Sequence, residues 1–369
     1  MLVNAKISLP KALGDYLVYA SFDGRSLLYS SPDGNIKGTL VDENIDPALI
    51  IQGRTPRFVF IGTQTKYIVG PSFDTASVWE TDVFGNLLNS WKVLSGSNMC
   101  MNPEISPYSN WIAIDCINES DNRMINLINL RTGDTKSFTI HCDSDFAPTP
   151  LPGSFYWSAN ETEFAYRCPV AEYYFISLSS DHVTAKQLGD RPNEFDILTI
   201  SPDWTHIAID MGTMPENPNG TIRGERLMIA NLDCILANNS QCNQGITFDL
   251  PISEPVTPFP FEQLQATWET AIICRWTHDD NALIWTTAHG GIGQIDMRTN
   301  TNRTITPGGS AYLLDISPDD QWTIFFGKDP NSDNFGLFSM STHDNSITHF
   351  LAGPNIGGRI TVYGWLTIH

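Results

Sequence analysis

An all-β fold of serial repeats is predicted by three features of this chain. The first is a recurring phrase in which an apolar strand meets a Ser-Pro-Asp turn and a second apolar strand follows. Its clearest copies are Ile200-Ser201-Pro202-Asp203-Trp204-Thr205-His206-Ile207-Ala208-Ile209 and Ile316-Ser317-Pro318-Asp319-Asp320-Gln321-Trp322-Thr323-Ile324-Phe325, with Ile105-Ser106-Pro107 opening a third. The second is the spacing, because repeats of about 40 residues with four strands each are the signature of a β-propeller. The third is a pair of incomplete ends: Arg359–Thr367 reads as a first strand with nothing after it, and Tyr16–Ser21 as a second strand with nothing before it. Together these predict one domain, 1–369, forming a seven-bladed β-propeller of four-stranded antiparallel blades, its ring closed by the C-terminal strand joining the N-terminal strands. Closure of that kind removes exposed sheet edges.

In chain order, blade 1 is expected to be shared between 15–43 and 359–367, with an outer hairpin around Pro32-Asp33-Gly34-Asn35. Blades 2 to 7 are expected at 56–97, 101–141, 152–189, 195–250, 269–306 and 311–351. Outer turns fall near Phe84-Gly85-Asn86, Thr132-Gly133-Asp134, Ser180-Asp181, Thr299-Asn300 and His343-Asp344-Asn345. The first turn is looser at Ser158-Ala159-Asn160-Glu161, Thr277-His278-Asp279-Asp280 and Thr63-Gln64-Thr65-Lys66. Its Asp is assigned a structural role, accepting backbone N–H groups within the turn. Trp111, Trp157, Trp204, Trp276, Trp322 and Trp365 recur near the inner strands, which points to packing between blades. The best helix signal is Phe261–Gln265, after Pro260.

The motif Ser-Pro-Asp at 201–203 and 317–319, each between paired apolar strands, resembles the TolB-like, WD-repeat-like propellers of bacterial envelope proteins. The resemblance covers nearly the whole chain at the level of fold. Similarity to TolB itself would imply six blades, whereas seven units are counted here.

A net charge of −20, from 41 acidic against 21 basic residues, excludes nucleic acid as the expected partner and disfavours anionic membranes. No apolar run approaches the roughly 20 residues of a spanning helix, so no membrane insertion is expected. Three cysteine pairs suit disulfides: Cys100 with Cys116 across one hairpin, Cys142 with Cys168 at corresponding places, and Cys234 with Cys242 around a polar loop. Cys274 is left as a buried thiol. This usage points to an oxidising setting, extracellular, periplasmic or at the cell surface.

Propeller loops between strands b and c, and from strand d to the next blade, share the mouth of the central channel. The fifth unit carries long ones, Met211–Arg226 and Pro251–Trp268. Candidate binding residues are therefore Arg167, Glu216, Arg223, Arg226, Phe259, Phe261 and Arg275, an arginine being able to clamp a carboxylate bidentately. Asp329, Asn331 and Asp333 carry the alternating oxygens that calcium takes, although the distal Glu is missing; no other cofactor is expected. Binding is preferred over catalysis: a non-catalytic extracytoplasmic module for a protein partner, for self-association, or for a small ligand or glycan. The alternatives are a glycoside hydrolase or lyase using mouth-face carboxylates such as Asp143, Asp145, Glu194, Asp196 and Glu216, and the propeller part of a larger peptidase.

Overall fold

The computed structural model describes residues 8, 10–20, 26–42, 49–54, 57–64, 73–81, 87–107, 110–117, 123–142, 154–168, 172–179, 182–187, 196–213, 224–237, 245–251, 272–287, 292–306, 311–328, 335–353 and 362–368. In chain order the strands are β1 (Gly14–Ala20), β2 (Ser26–Ser30), β3 (Lys37–Asp42), β4 (Leu49–Arg54), β5 (Arg57–Gln64), β6 (Phe73–Thr81) and β7 (Leu87–Ile105). β8 (Trp111–Ile117), β9 (Arg123–Asn129) and β10 (Thr135–Ile140) follow, then β11 (Ser154–Trp157), β12 (Glu163–Arg167), β13 (Glu172–Ser177) and β14 (His182–Gln187). Next come β15 (Asp196–Ile200), β16 (His206–Thr213), β17 (Gly224–Asn231), the short helix α1 (Leu232–Leu236) and β18 (Ile246–Pro251). The last are β19 (Ile272–Trp276), β20 (Ala282–Thr287), β21 (Ile292–Asp296), β22 (Thr301–Thr306), β23 (Ala311–Ile316), β24 (Trp322–Lys328), β25 (Phe335–Ser341), β26 (Ile347–Gly353) and β27 (Val362–Ile368).

Among the described residues these strands build six blades of four antiparallel strands: β27-β1-β2-β3 (blade 1), β7 to β10 (blade 2), β11 to β14 (blade 3), β15 to β18 (blade 4), β19 to β22 (blade 5) and β23 to β26 (blade 6). The expected seventh blade is overturned. Its residues give only β4, β5 and β6, which run continuously into both neighbours as part of an eleven-stranded sheet. β4 joins β27 by a parallel pairing, and the 19 residues of β7 pair with β6 along one stretch and with β8 along the other. The sequence shows the reason. Thr63-Gln64-Thr65-Lys66 lacks the Ser-Pro-Asp chemistry that forces a turn, so β5 continues through Thr63 and Gln64. Its partner is β4, in a register that ends with Arg54 opposite Arg57.

The blades hold together through their faces. Ala113, Ile125 and Leu127 of blade 2 pack on Phe155, Trp157, Phe164 and Tyr166 of blade 3. Tyr173 and Phe175 of blade 3 meet Ile207 and Ile209 of blade 4, and Leu227 and Leu250 of blade 4 meet Cys274, Trp276 and Trp285 of blade 5. Ile284 meets Phe325 across the next seam, and Ile324 and Leu337 meet Leu17 and Trp365 of blade 1. A strand buried on both faces must be apolar at successive positions. That is why β16 reads Ile-Ala-Ile: Ile207 and Ile209 face one seam and Ala208 the other. Trp157 and Trp276 are buried in these seams.

The first turn of each blade is a built object. Ser201 Oγ donates to Asp203 Oδ1 (2.6 Å) and accepts from His206 N (2.8 Å), while Asp203 Oδ1 accepts from Thr205 N (3.0 Å). Ser317 and Asp319 repeat the arrangement, and Thr277 with Asp279 and Ser158 with Asn160 vary it. The fourth residue of the turn has positive φ: Glu161 56°, Trp204 64°, Asp280 59° and Asp320 59°. This backbone aims the side chain at the preceding blade. Asp320 accepts from His278 N (2.7 Å) and Asp279 N (3.0 Å), Asp280 from Asp203 N (3.1 Å), and Glu161 from Asn110 Nδ2 (2.5 Å). Ala159 N donates to Pro202 O (2.8 Å), so links of this kind run from blade 2 to blade 6.

Two disulfides join described residues, Cys100–Cys116 and Cys142–Cys168. The first staples β7 to β8, and the second ties the end of blade 2 to β12 of blade 3. Cys234 is also disulfide-bonded, whereas Cys242, its expected partner, lies outside the described residues. Cys274 is a buried free thiol. Chain-entropy arguments for loops of 16 and 26 residues give about 3–3.5 kcal/mol for each bridge. Paired Cys→Ser variants are expected to melt well below the wild type, and a reducing agent to erase the difference; equal melting temperatures without reductant would contradict this.

Candidate functional site

The inner strands gather charge at one level of the repeat, two residues before the turn Ser or Thr. The residues there are Glu104, Tyr156, Thr199, Arg275 and Asp315. Their neighbours one step on, Ile105, Trp157, Ile200, Trp276 and Ile316, are buried. A β-bulge precedes Glu104, Thr199 and Asp315 in their strands, a device that re-aims side chains. Inner strands of successive blades adjoin, β15 against β19 and β19 against β23. Glu104 of blade 2, Arg275 of blade 5 and Asp315 of blade 6 thereby come within electrostatic reach of one another.

Arg275 is the exposed member of this group, and the two acids are partly buried. Asp315 is anchored: its Oδ2 accepts from Trp365 Nε1 of blade 1 (3.0 Å) and its Oδ1 from Ile316 N (2.9 Å). Enclosure within the inner strands raises both carboxyls. Burial pushes Glu104 up to about 8, against the pull of Arg275 and with help from Asp315. Burial also raises Asp315, opposed by Arg275. At neutral pH Glu104 is therefore mostly a neutral hydrogen-bonding acid, and Arg275 presents its guanidinium beside it.

A second polar group lies inside the seam of blades 2 and 3. Arg123 Nη1 donates to Asp115 Oδ2 (3.0 Å) and to Tyr166 Oη (2.5 Å), and Tyr166 Oη donates to Asp115 Oδ2 (2.7 Å). All three residues are buried. Burial and the Asp115 charge hold the phenol protonated, so the triad is an ion pair bridged by a neutral phenol.

Of the residues expected from sequence, Arg275 joins the inner cluster. Arg167 is partly buried at the end of β12, next to the Cys142–Cys168 bridge. Arg226 lies on the outer hairpin of blade 4 and pairs with Asp249 (3.2 Å) with both side chains well exposed, a contact of little energetic weight. Asp196 lies on β15, in register with Asp210. Glu216, Arg223, Phe259, Phe261, Asp329, Asn331, Asp333, Asp143, Asp145, Glu194 and the helix signal at Phe261–Gln265 lie outside the described residues. Among the described residues no group of three or more His, Cys, Asp and Glu gathers as a metal would need, and no helix is long and apolar enough to cross a membrane. Sequence reading missed Glu104 and Asp315; alignment of the repeats on the turn Ser would have exposed both.

No family model matches the sequence, and no curated protein matches it. Among solved structures the chain is similar to one in the crystal structure of a mitotic checkpoint complex, at 11% identity over 86% of this chain and 79% of that chain, with a TM-score of 0.48. It is also similar to TolB from Acinetobacter baumannii, at 14% identity over 99% and 82%, with a TM-score of 0.45. Neither likeness carries an activity or a partner to this chain. Its own strand order and blade seams make it an all-β propeller.

Proposed function

We propose that the protein is a non-catalytic binding propeller of an extracytoplasmic compartment, whose ligand or protein partner reaches the inner strands from the face of the first turns, opposite the b–c and d–a loops, and presents a carboxylate to Arg275, two residues before the turn of its blade. The observation that carries this reading is the exposed guanidinium set among inner-strand acids of other blades. Asp315 is already engaged by Trp365 and its own backbone, and Glu104 is neutral near pH 7, so the charge left to meet a ligand is that of Arg275. The two disulfides support an oxidising location. A second reading, a glycoside hydrolase or lyase, is favoured by one feature: a carboxyl raised to about 8 beside a second acid, the pairing of an acid with a base.

A thermal-shift panel of acidic sugars, neutral sugars, dicarboxylic acids and C-terminal peptides tests both. A ligand at about 100 times its Kd stabilises by about 2.7 kcal/mol. That shift is expected in the wild type and lost in Arg275→Ala. A shift that survives Arg275→Ala would remove the channel reading, and turnover abolished by Glu104→Gln would establish the enzyme.

A further inference from the structure

The first turn of blade 3 differs from those of blades 4, 5 and 6 in its third residue. Asp203, Asp279 and Asp319 hold that place in the later blades, and blade 3 has Asn160. Both oxygens of Asp203 are used: Oδ1 accepts from Ser201 Oγ and Thr205 N, and Oδ2 accepts from Thr205 Oγ1 (2.6 Å). Asp279 Oδ2 likewise accepts from the side chain of Asn281. At Asn160 the second atom is an amide nitrogen, which can only donate. All the donors of the turn have gathered on Oδ1 instead: Ser158 Oγ (2.8 Å), Thr162 N (3.0 Å) and Thr162 Oγ1 (2.7 Å). Nδ2 finds no acceptor among the described residues, and the side chain is exposed.

Asn160-Glu161-Thr162 is also an Asn-x-Thr sequon, the acceptor sequence for asparagine-linked glycans in an extracytoplasmic setting. Asn118, Asn219, Asn238 and Asn302 open the same motif elsewhere, the first three outside the described residues. Asn302 makes an internal contrast. It is half-buried on β22, its Oδ1 accepts from Trp285 Nε1 (2.9 Å), and its Nδ2 donates to Asp249 O of blade 4 (3.5 Å). A substituent on that nitrogen would break the contact to Asp249 and press on the seam. At Asn160 it would displace nothing. A substituted amide keeps its oxygen as an acceptor, so the three bonds that hold the turn survive.

We propose that Asn160 carries an N-linked glycan, displayed at the first turn of blade 3. The donor is a polyprenyl-diphosphate-linked oligosaccharide. Nδ2 bonds to the anomeric carbon of the first sugar as that carbon's bond to the diphosphate oxygen breaks. The polyprenyl diphosphate leaves with the bonding pair, and the displaced amide proton passes to a base of the transferase. Thr162 completes the sequon in the unfolded chain, and its hydroxyl closes the turn in the folded one. This rests on the extracytoplasmic part of the proposed function and is independent of Arg275.

Glycopeptide mapping by electron-transfer mass spectrometry, on the full chain purified from the cells that make it, tests the site. A glycan is expected on Asn160 and none on Asn302. Asn160→Asp gives blade 3 the residue used by blades 4, 5 and 6, so it should fold and lose the modified peptide. Thr162→Ser keeps the sequon hydroxyl and should retain it. A bare Asn160 in the wild type overturns the proposal, as does a glycan found on Asn302 alone. Counting free thiols in the same sample tells this failure from failure of the compartment: with Cys100 and Cys116 still bridged only the glycan site falls, and with both reduced the extracytoplasmic reading falls as well.

Discussion

Arg123→Met is expected to lower the unfolding free energy by about 3–5 kcal/mol, because it leaves the Asp115 carboxylate in a seam with its cation removed. The pair lies between Ala113, Ile125 and Leu127 on one side and Phe164 and Tyr166 on the other, so water cannot replace the guanidinium. Tyr166→Phe keeps the ring and removes one donor and one acceptor, for about 1–3 kcal/mol. The double variant Asp115→Asn with Arg123→Met removes both charges and is expected to recover much of the loss, since replacing a whole buried pair is often near neutral. Urea unfolding measures all four proteins. If the double variant is as unstable as Arg123→Met, the cost lies in lost packing of the arginine stem and the electrostatic account fails.

The repeat was legible because its turns are local chemistry. Ser201-Pro202-Asp203 and Ser317-Pro318-Asp319 specify their own hydrogen bonds, so the Asp role read from sequence is the one observed. The two bridges Cys100–Cys116 and Cys142–Cys168 followed from placing those cysteines against the turns. Blade number was not legible, because it depends on non-local pairing. β4, β5 and β6 alternate like any blade, and only the parallel contact of β27 with β4 and the long run of β7 show that they merge with their neighbours. The helix α1 escaped because five residues carry no periodic signal; Asn231, whose side chain accepts from Cys234 N, is its one local cue. The inner cluster escaped for a further reason. Glu104, Arg275 and Asp315 lie far apart in the chain, and among 41 acidic residues nothing local marks the two that radial closure brings together. The fourth turn residue shows the same limit: Glu161, Asp280 and Asp320 look like solvent-exposed acids until positive φ turns them toward the neighbouring blade.

Asp320→Ala is expected to cost about 3–4 kcal/mol, since it deletes the bonds Asp320 makes with His278 N, His278 Nδ1 and Asp279 N and adds the strain of a left-handed alanine. Asp320→Gly separates these contributions: it tolerates φ of 59° and should recover about 1 kcal/mol of the loss. Asp280, one blade back, predicts the opposite sign. Burial, then Asp203, Asp279 and Asp320, raise its carboxyl from 3.8 to about 6, although Asp203 N donates to it. Between these two values the folded chain keeps a proton that the unfolded chain has released, so this residue's contribution is full below the lower value and declines as pH rises through 6. Asp280→Asn retains the Oδ1 acceptor and removes the charge. Its melting temperature should match the wild type in acid and exceed it above pH 6, flattening the pH profile. If instead Asp280→Asn melts lower at neutral pH, the ionised carboxylate is a favourable latch like Asp320, and the repulsion among these turn carboxylates is not what governs the belt.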